Sequence, residues 1–256
     1  MERVSKHIVD WLKSYCDSSK LNGFVVGVSG GIDSAVTSIL CAQTGKRVVL
    51  LNMPIRQHDS EYKLAQLHIS DLKNRYPNVD SHELDLSTAF LSFEQMMPFD
   101  IEVNGLSMAN SRARMRMMTL YAVGQANNLL VAGTGNKVED FGIGFYTKYG
   151  DGGVDLSPIA DLTKTEVYYL ADSLNVIDGI QKAQPTDGLW GDGRKDEDQI
   201  GATYVELEWA MSFNGKESDL NFREKEVLKI FNRLHRVNKH KMIPIPVCKI
   251  PDNLRK

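Results

Sequence analysis

The segment FVVGVSGGIDSA, residues 24–35, joins an apolar run to a helical segment through a loop rich in glycine and serine. In an open α/β sheet the carboxyl end of the first strand faces the ligand crevice, and the next helix offers its backbone N–H groups to an anion. The segment therefore predicts a strand, a phosphate-binding loop and a helix in succession. This loop has no lysine, unlike the common nucleotide loop G-x-x-x-x-G-K-[ST].

Further apolar runs follow this first strand, and segments with helical periodicity alternate with them. We expect strands at residues 24–28, 47–53, 79–86 and 129–133, and helices at residues 4–16, 35–43, 60–76 and 108–127. Strands and helices that alternate in this way favour an α/β fold with a doubly wound, mostly parallel sheet flanked by helices. A length of 256 residues fits one large domain of this class.

The composition is that of an ordinary globular protein and argues against several functional classes. A net charge of -3 provides no basic excess for nucleic-acid binding. No apolar run approaches the roughly 18 residues of a membrane span, and the charged N-terminus lacks the apolar core of a secretory leader. The three cysteines form no C-x-x-C pair, so neither a zinc site nor a redox motif is indicated. We expect a cytoplasmic protein without nucleic-acid or membrane partners.

The loop at residues 27–34, called the phosphate loop below, has the residue types that phosphate binding needs. Its glycines allow a close backbone approach, and its serine hydroxyls can donate hydrogen bonds to phosphate oxygens. Asp33 would repel a phosphate unless a cation lay between them, and Mg²⁺ is the natural choice. The structural alternative is a glycine turn in which Asp33 and Ser34 cap the next helix. That alternative does not explain two consecutive glycines behind another serine.

Two glycine-rich segments, residues 134–162 and 185–199, show little hydrophobic periodicity. Irregular segments of this length inside compact domains are uncommon and usually functional. The second segment carries Trp190 and suits a flap that closes over substrate. The methionine-rich helix predicted at residues 108–127 is typical of a core or a subunit seam.

The pattern S-G-G-x-D-S after a strand, at residues 29–34, resembles the PP-loop of the ATP pyrophosphatases. The resemblance implies cleavage of ATP to AMP and pyrophosphate on an adenine nucleotide alpha hydrolase-like, Rossmann-like fold. N–H groups, hydroxyls and magnesium would then meet the charge of the departing pyrophosphate, which accounts for the missing lysine. This superfamily includes synthetases for NAD, GMP, asparagine and argininosuccinate as well as tRNA thiolases, so the loop alone leaves the acceptor open.

Three later segments resemble the NAD synthetases and follow one another in the order of that family. They are NSRARMRM (residues 110–117), GTGNKVEDFGIGFYTKYGDGGVDLSPIADLTKTEV (residues 133–167) and KAQPTDGLWGDGRKDEDQIGATY (residues 182–204). The similarity extends over nearly the whole chain. It implies an ammonia-dependent NAD synthetase that amidates deamido-NAD, with ATP as co-substrate and Mg²⁺ as cofactor.

The resemblance also implies roles for individual residues. Those implied to contact ATP are Gly27, Val28, Ser29, Gly30, Gly31, Ile32, Asp33, Ser34, Arg56, Thr134, Lys164 and Thr186. Those implied to hold deamido-NAD are Arg114, Lys148, Asp155, His240 and Lys241. Asp33 and Glu139 would bind magnesium. The segment from Glu139 to Lys148 is one residue longer than the family pattern, so Asp140 is an alternative metal ligand.

The implied reaction has two steps. The nicotinate carboxylate of deamido-NAD attacks the α-phosphorus of ATP, giving an adenylated intermediate and pyrophosphate, and ammonia then displaces AMP. Lys164 would offset charge on the phosphates, and Asp151 would hold ammonium near the anhydride and ease its deprotonation. The alternative for Asp151 is a turn aspartate beside glycines with no catalytic role.

Glutamine-using relatives carry an added glutaminase domain, whereas the synthetase domain accounts for the 256 residues of this chain. We therefore expect a single domain that uses ammonia directly. The resemblance further implies a homodimer with the dinucleotide site at its interface and residues 108–127 in the seam. The alternatives are another PP-loop enzyme, such as a GMP synthetase-like ligase or a tRNA thiolase, and a non-catalytic ATP-binding module.

Overall fold

The structure is a computed structural model that describes residues 1–186 and 195–255. Its strands are β1 (Gly23–Gly27), β2 (Arg47–Asn52), β3 (Val79–Glu83) and β4 (Leu129–Val131). They form a parallel sheet in the order β3–β2–β1–β4, so the predicted parallel α/β fold is confirmed. β4 ends earlier than predicted because the chain beyond it makes only a single bridge, between Ala132 and Leu156.

Side chains along the central strands alternate between two apolar layers, as the pleat of a strand requires. Phe24 and Val26 of β1 belong to the larger core, whereas Val25 lies in the core on the opposite face. All three side chains are fully buried. A parallel sheet that is covered on both faces has such continuous apolar runs.

Helices cover both faces of the sheet. The α-helices of the described residues are α1 (Glu2–Ser19), α2 (Ile32–Gln43), α3 (Asp59–Arg75), α4 (Ser87–Gln95), α5 (Gly105–Asn127), α6 (Lys164–Ser173), α7 (Asp178–Lys182), α8 (Asp196–Ile200), α9 (Tyr204–Ser212) and α10 (Phe222–Met242). Residues of α1, α2 and α6 belong to the larger core, and residues of α5 pack on the opposite face. In the described part of the chain, no helix combines the length and the apolarity that crossing a membrane requires.

The irregular segment at residues 134–162 contains a π-helical turn, Val138–Ile143. A π-helix closes its hydrogen bonds over one more residue than an α-helix. The turn overlaps the segment from Glu139 to Lys148, which the sequence predicts to be one residue longer than the family pattern. Val138 and Ile143 pack with α9 and α10 in a small separate core, which fixes the position of the turn.

The predicted flap at residues 185–199 lies only partly within the structure. Its central part, residues 187–194 with Trp190, falls outside the described residues. Pro185 and Thr186, at its beginning, line the cleft that the next section describes.

Candidate active site

A cleft with a volume of about 680 Å³ lies where β1 ends. Its walls come from the phosphate loop, α5, residues 132–154 and the end of α10. In open α/β sheets, ligands bind outside the carboxyl ends of the strands. The fold thus places the cleft at the position expected for a nucleotide site.

Most of the predicted site residues meet in this cleft, although they come from distant parts of the sequence. Every residue of the phosphate loop lines it, together with Arg114, Thr134, Glu139, Lys148, Asp151, Lys164, Thr186, His240 and Lys241. The cleft therefore unites most of the residues predicted for ATP with most of those predicted for deamido-NAD.

Two predicted residues, Arg56 and Asp155, do not line the cleft. The guanidinium of Arg56 makes a bidentate ion pair with the buried carboxylate of Glu94, with its shorter contact at 2.5 Å. Asp155 accepts hydrogen bonds from the backbone N–H of Val131 at 2.8 Å and the hydroxyl of Tyr121 at 3.0 Å. In this structure both side chains bind protein groups, and their roles toward ATP and deamido-NAD stay predictions.

The phosphate loop is held in place by its own hydroxyl groups and by α3. Ser34 Oγ donates to the carbonyl of Gly31 at 2.9 Å, and the N–H of Gly31 donates to Ser29 Oγ at 3.2 Å. Gly30 has a φ of 92°, and a Cβ at this position would lie 2.4 Å from the carbonyl oxygen of Glu61. Only glycine fits this close contact between the loop and α3 without strain.

Beside the loop lies the carboxylate–lysine cluster, which we define as Asp33, Glu139, Lys164 and Tyr204. Lys164 Nζ lies 2.6 Å from Asp33 Oδ2 and 3.1 Å from Glu139 Oε1. The hydroxyl of Tyr204 donates to the same Glu139 oxygen at 2.6 Å. The Lys164 side chain is only 4% exposed, so one buried ammonium group joins two carboxylates.

Neighbouring residues fix this cluster. Thr163 and Glu166 form a capping box that starts α6 at Lys164. Asn136 is fully buried and donates to Asp33 Oδ1 at 3.3 Å, while its own Oδ1 accepts the N–H groups that begin the π-helical turn. Burial disfavours the charge of Lys164, but Asp33 and Glu139 outweigh it and raise the pKa of the ammonium above its usual value. The lysine is therefore a permanent cation.

The cluster also fits a magnesium ion. Asp33 and Glu139 are carboxylates that share one cation, and Mg²⁺ prefers hard oxygen ligands. In the described part of the chain, no three metal-binding side chains form a closed centre. In nucleotide sites, Mg²⁺ is usually bound by one or two carboxylates, and substrate phosphates complete its coordination shell.

Two further carboxylates, Asp140 and Asp151, line the cleft. The carboxyl group of Asp140 packs against Gly135, and burial followed by repulsion from Glu139 raises its pKa to about 8. Asp151 accepts a hydrogen bond from the N–H of Thr147 at 2.9 Å. Although Asp151 has surface open to the cleft, loss of solvation around its carboxyl group raises its pKa to about 6. Both groups titrate near neutral pH, which suits proton transfer.

The cleft is also lined by what we call the carbonyl-bonded cations, Arg114, Arg116, Lys148 and Lys241. Each donates to main-chain oxygens: Arg114 to Lys148, Arg116 to Met53, Lys148 to His240, and Lys241 to Gly144 and Tyr146. Within residues 1–186 and 195–255, no carboxylate forms an ion pair within 4.0 Å with any of these four side chains. Their charges are thus available to anionic ligands.

The sequence reasoning gave no role to Asn136, Tyr204 or Arg116, although each lies within a quoted family segment. The spacing of Asn136 before Glu139 and the position of Tyr204 at the end of residues 182–204 were available as indications. Only the folded structure shows that Tyr204 reaches Glu139, 65 residues earlier in the chain.

A parallel sheet with a glycine–serine loop after its first strand, facing a buried lysine and two carboxylates, defines a nucleotide-binding α/β protein of the PP-loop type. The sequence model of the NAD synthase family matches residues 4–244. The chain belongs to this family.

Individual relatives agree with this assignment. The chain is 38% identical over 249 residues to the NH(3)-dependent NAD(+) synthetase of Alkaliphilus metalliredigens, covering 96% of this chain and 97% of that protein. The solved structure of NMN synthetase from Francisella tularensis superposes with a TM-score of 0.86 at 30% identity, covering 97% and 98% of the two chains. The NH3-dependent NAD synthetase of Campylobacter jejuni gives a TM-score of 0.77 at 25% identity, with 97% and 99% covered. The predicted family and the predicted ligase class are confirmed.

Proposed function

We propose that this chain catalyses the ATP-dependent amidation of deamido-NAD by ammonia, with release of AMP and pyrophosphate. One observation carries the proposal: a single cleft joins the phosphate loop and the carboxylate–lysine cluster to four cations that have no acidic partner in the described residues. The first set suits the phosphates of ATP, and the second suits an anionic acceptor.

In the first step, the phosphate loop binds the two phosphates that leave as pyrophosphate. The loop N–H groups and the hydroxyls of Ser29 and Ser34 donate to phosphate oxygens, and Lys164 offsets their charge. Asp33 and Glu139 would hold magnesium, which supplies further neutralisation of phosphate charge when bound. Arg114, Lys148 and Lys241 orient the acceptor so that its carboxylate faces the α-phosphorus. Positioning and charge stabilisation are sufficient here, because the mixed anhydride itself activates the carboxyl group.

In the second step, Asp151 receives the ammonium ion and takes a proton from it. A carboxylate with a pKa of about 6 is ionised at neutral pH and is a better base than an ordinary aspartate. Its position among the residues that line the cleft supports this role.

The direct test is pyrophosphate release by the purified protein with ATP, Mg²⁺ and deamido-NAD, with NAD formation followed in parallel. We expect pyrophosphate release to require deamido-NAD and NAD formation to require ammonium. Release of pyrophosphate that does not depend on the acceptor would contradict the proposal. ATP binding without any pyrophosphate release would instead favour the non-catalytic module.

The nitrogen source is tested separately. We propose that free ammonia is used, which the similarity to two NH3-dependent enzymes over nearly their whole length supports. Ammonium and glutamine should be compared at equal concentration with the same protein preparation. Equal rates of NAD formation from the two would contradict the use of free ammonia.

A second candidate is amidation of the mononucleotide acid, giving NMN. The specific observation is the TM-score of 0.86 to a protein named NMN synthetase. The two acceptors share the reacting carboxylate and differ in the remote adenylyl half, whose binding energy can be used to raise the rate of the chemical step. A ratio of kcat/KM that favours deamido-NAD over nicotinate mononucleotide supports the first candidate, and the reverse ratio supports the second.

We also propose a homodimer whose seam includes α5. Leu106 and Met118 of this helix are 63% and 61% exposed, which is unusual for apolar side chains beside a ligand cleft. Asp155, bonded to Tyr121 of the same helix, would then lie near the interface. Size-exclusion chromatography with light scattering should give about twice the chain mass of 28.7 kDa. A monomer at catalytic concentrations would contradict this arrangement.

A further inference from the structure

We propose that Arg116 binds the α-phosphoryl group of ATP and stabilises its charge during adenylyl transfer. This inference rests on the proposed amidation reaction. It concerns a residue to which neither the sequence resemblance nor the reaction scheme gave a role.

Arg116 is anchored to the protein through only one edge of its guanidinium group. Its Nε donates to the carbonyl of Met53 at 3.0 Å, and its side chain lines the cleft. In the described residues neither terminal nitrogen of the guanidinium forms a hydrogen bond or an ion pair with protein. One edge of the group is thus anchored while the two remaining nitrogens can bind one anion, and a guanidinium is suited to bidentate contact with phosphate.

Arg116 also lies in the part of the cleft where the phosphate loop begins. Met53 directly follows β2, and its methyl group lies 3.3 Å from the place of a Cβ on Gly27, the first residue of the phosphate loop. Charges on Glu61 and Asp151 both act on the guanidinium. Glu61 touches the loop at Gly30, whereas Asp151 is the proposed ammonium site. Arg116 therefore lines the cleft near both the phosphate loop and the proposed ammonium site.

During the reaction, the α-phosphorus has to lie near both the phosphate loop and the proposed ammonium site. An oxygen of the nicotinate carboxylate forms a bond to this phosphorus, and the bond to the bridging oxygen of the β-phosphate breaks. The bonding electron pair leaves with pyrophosphate, which the loop holds. The carbonyl carbon of the resulting mixed anhydride is the atom that ammonia attacks. A cation near the loop and the ammonium site can bind the non-bridging oxygens of the α-phosphoryl group. It would stabilise the charge that these oxygens gain in the transition state.

The electrostatic setting of Arg116 agrees with this role. Burial, followed by repulsion from Arg112, lowers its pKa to about 10. The guanidinium still carries its full charge at neutral pH. It does so without a carboxylate partner within 4.0 Å in the described part of the chain, so a bound phosphate provides a counter-ion that the protein does not.

The test compares Arg116→Gln and Arg116→Lys with the full-length wild type. The control is Arg75→Gln, because Arg75 also donates to main-chain carbonyls, those of Leu174 and Asn175, but does not line the cleft. Release of pyrophosphate is measured with ATP and with each diastereomer of ATPαS, and release of thiopyrophosphate is measured with ATPβS. Melting temperatures of all variants are recorded.

We expect Arg116→Gln to lower kcat for pyrophosphate release by about 100- to 1,000-fold, with a change in the KM for ATP of less than about 5-fold. The difference in rate between the ATPαS diastereomers should shrink in this variant, whereas the effect of sulfur at the β-phosphate should not. Arg116→Lys should recover part of kcat, and Arg75→Gln should stay within about 2-fold of the wild type.

Several results would overturn the inference. They are a normal kcat in Arg116→Gln, a loss confined to the KM for deamido-NAD, and equal changes in the α- and β-sulfur effects. If Arg116→Gln fails to fold, the sulfur effects in Arg116→Lys decide. Lack of acceptor-dependent pyrophosphate release by the wild type would contradict the proposed function itself, whereas normal wild-type turnover with a normal Arg116→Gln contradicts the role of Arg116 alone.

Discussion

The cleft is lined by cations in two different settings. In the carboxylate–lysine cluster, Lys164 is buried and satisfied by two carboxylates of the protein. The carbonyl-bonded cations, among them Arg116 and Lys241, contact neutral groups and no carboxylate in the described residues: main-chain oxygens and, for Lys148 and Lys241, a tyrosine ring. A buried charge is stable only when it is paired. The carboxylate–lysine cluster therefore has its counter-ions without ligand, whereas the carbonyl-bonded cations gain theirs when an anion binds.

The difference separates structural from ligand-dependent electrostatics. Removing Lys164 leaves two carboxylates without their cation, so both stability and activity should suffer. Removing a carbonyl-bonded cation leaves only neutral oxygens without a donor, so the loss should appear mainly when substrate is present. The two groups of cations should therefore respond differently to substitution, and Lys164 should be the most sensitive.

The largest effect is expected for Lys164→Met. The two carboxylates left behind are 17% and 16% exposed. Removing one partner of a buried ion pair lowers the free energy of unfolding by about 3–5 kcal/mol. Activity should fall by about 1,000-fold because the phosphates lose a fixed cation. Urea unfolding measures the first effect, and Mg²⁺ should restore part of the lost stability by occupying the two carboxylates. Unchanged stability would break the comparison.

Asp151→Asn should lower the rate of NAD formation by about 100-fold at saturating ammonium. In the wild type this rate should fall as the pH drops through about 6, because the carboxylate is then protonated. The variant should lack that inflection when free ammonia is kept constant. Since the folded state raises this pKa, ionisation costs stability as the pH rises towards 6, and the variant should be at least as stable as the wild type at pH 7.

The control for this prediction is Asp161→Asn. The Asp161 side chain is 97% exposed and pairs with Lys137 outside the catalytic groups. The Asp161→Asn variant should keep the wild-type rate of NAD formation and the wild-type inflection in its pH profile. A pH profile that is the same in Asp151→Asn and the wild type would assign the inflection to another group.

Tyr204→Phe removes only the hydroxyl that donates to Glu139 at 2.6 Å. Loss of such a contact to a metal-binding carboxylate typically weakens metal affinity by about 10-fold or more, and loss of the hydrogen bond costs about 1 kcal/mol of stability. The Mg²⁺ concentration for half-maximal activity and the midpoint of urea unfolding should both shift. Tyr62→Phe is the matched control, because Tyr62 donates to Glu83 away from the cleft. Equal Mg²⁺ dependence in the two variants would contradict the role of Tyr204.

Lys241→Met should have the smallest effect. Its ammonium donates to the carbonyls of Gly144 and Tyr146, and burial lowers its pKa. Loss of one charge-assisted contact should raise the KM for deamido-NAD by about 5-fold, with stability changed by less than about 1 kcal/mol. Steady-state kinetics and thermal unfolding check the two parts. If Lys241→Met lost more stability than Lys164→Met, the proposed contrast between the carbonyl-bonded cations and the carboxylate–lysine cluster would be wrong.

Much of the fold could be predicted from the sequence because its causes are local. The apolar runs of β1 and β2 and the periodicity of α1 identify these elements without tertiary information. The phosphate loop could be located because its chemistry is contained in eight adjacent residues, 27–34. The π-helical turn at Val138–Ile143 was not predicted, since its shape depends on packing against α9 and α10.

The site divides in the same way. The sequence by itself determined the strand–loop–helix unit, the residue types available for phosphate and the family to which the chain belongs. The tertiary structure decided which charge meets which partner: Lys164 pairs with Asp33 across 131 residues, Arg56 pairs with Glu94, and Arg116 has no acidic partner in the described residues. The physical reason is that ion pairing and loss of solvation act through space over a few ångströms, whereas a sequence motif records only the order of residues along the chain.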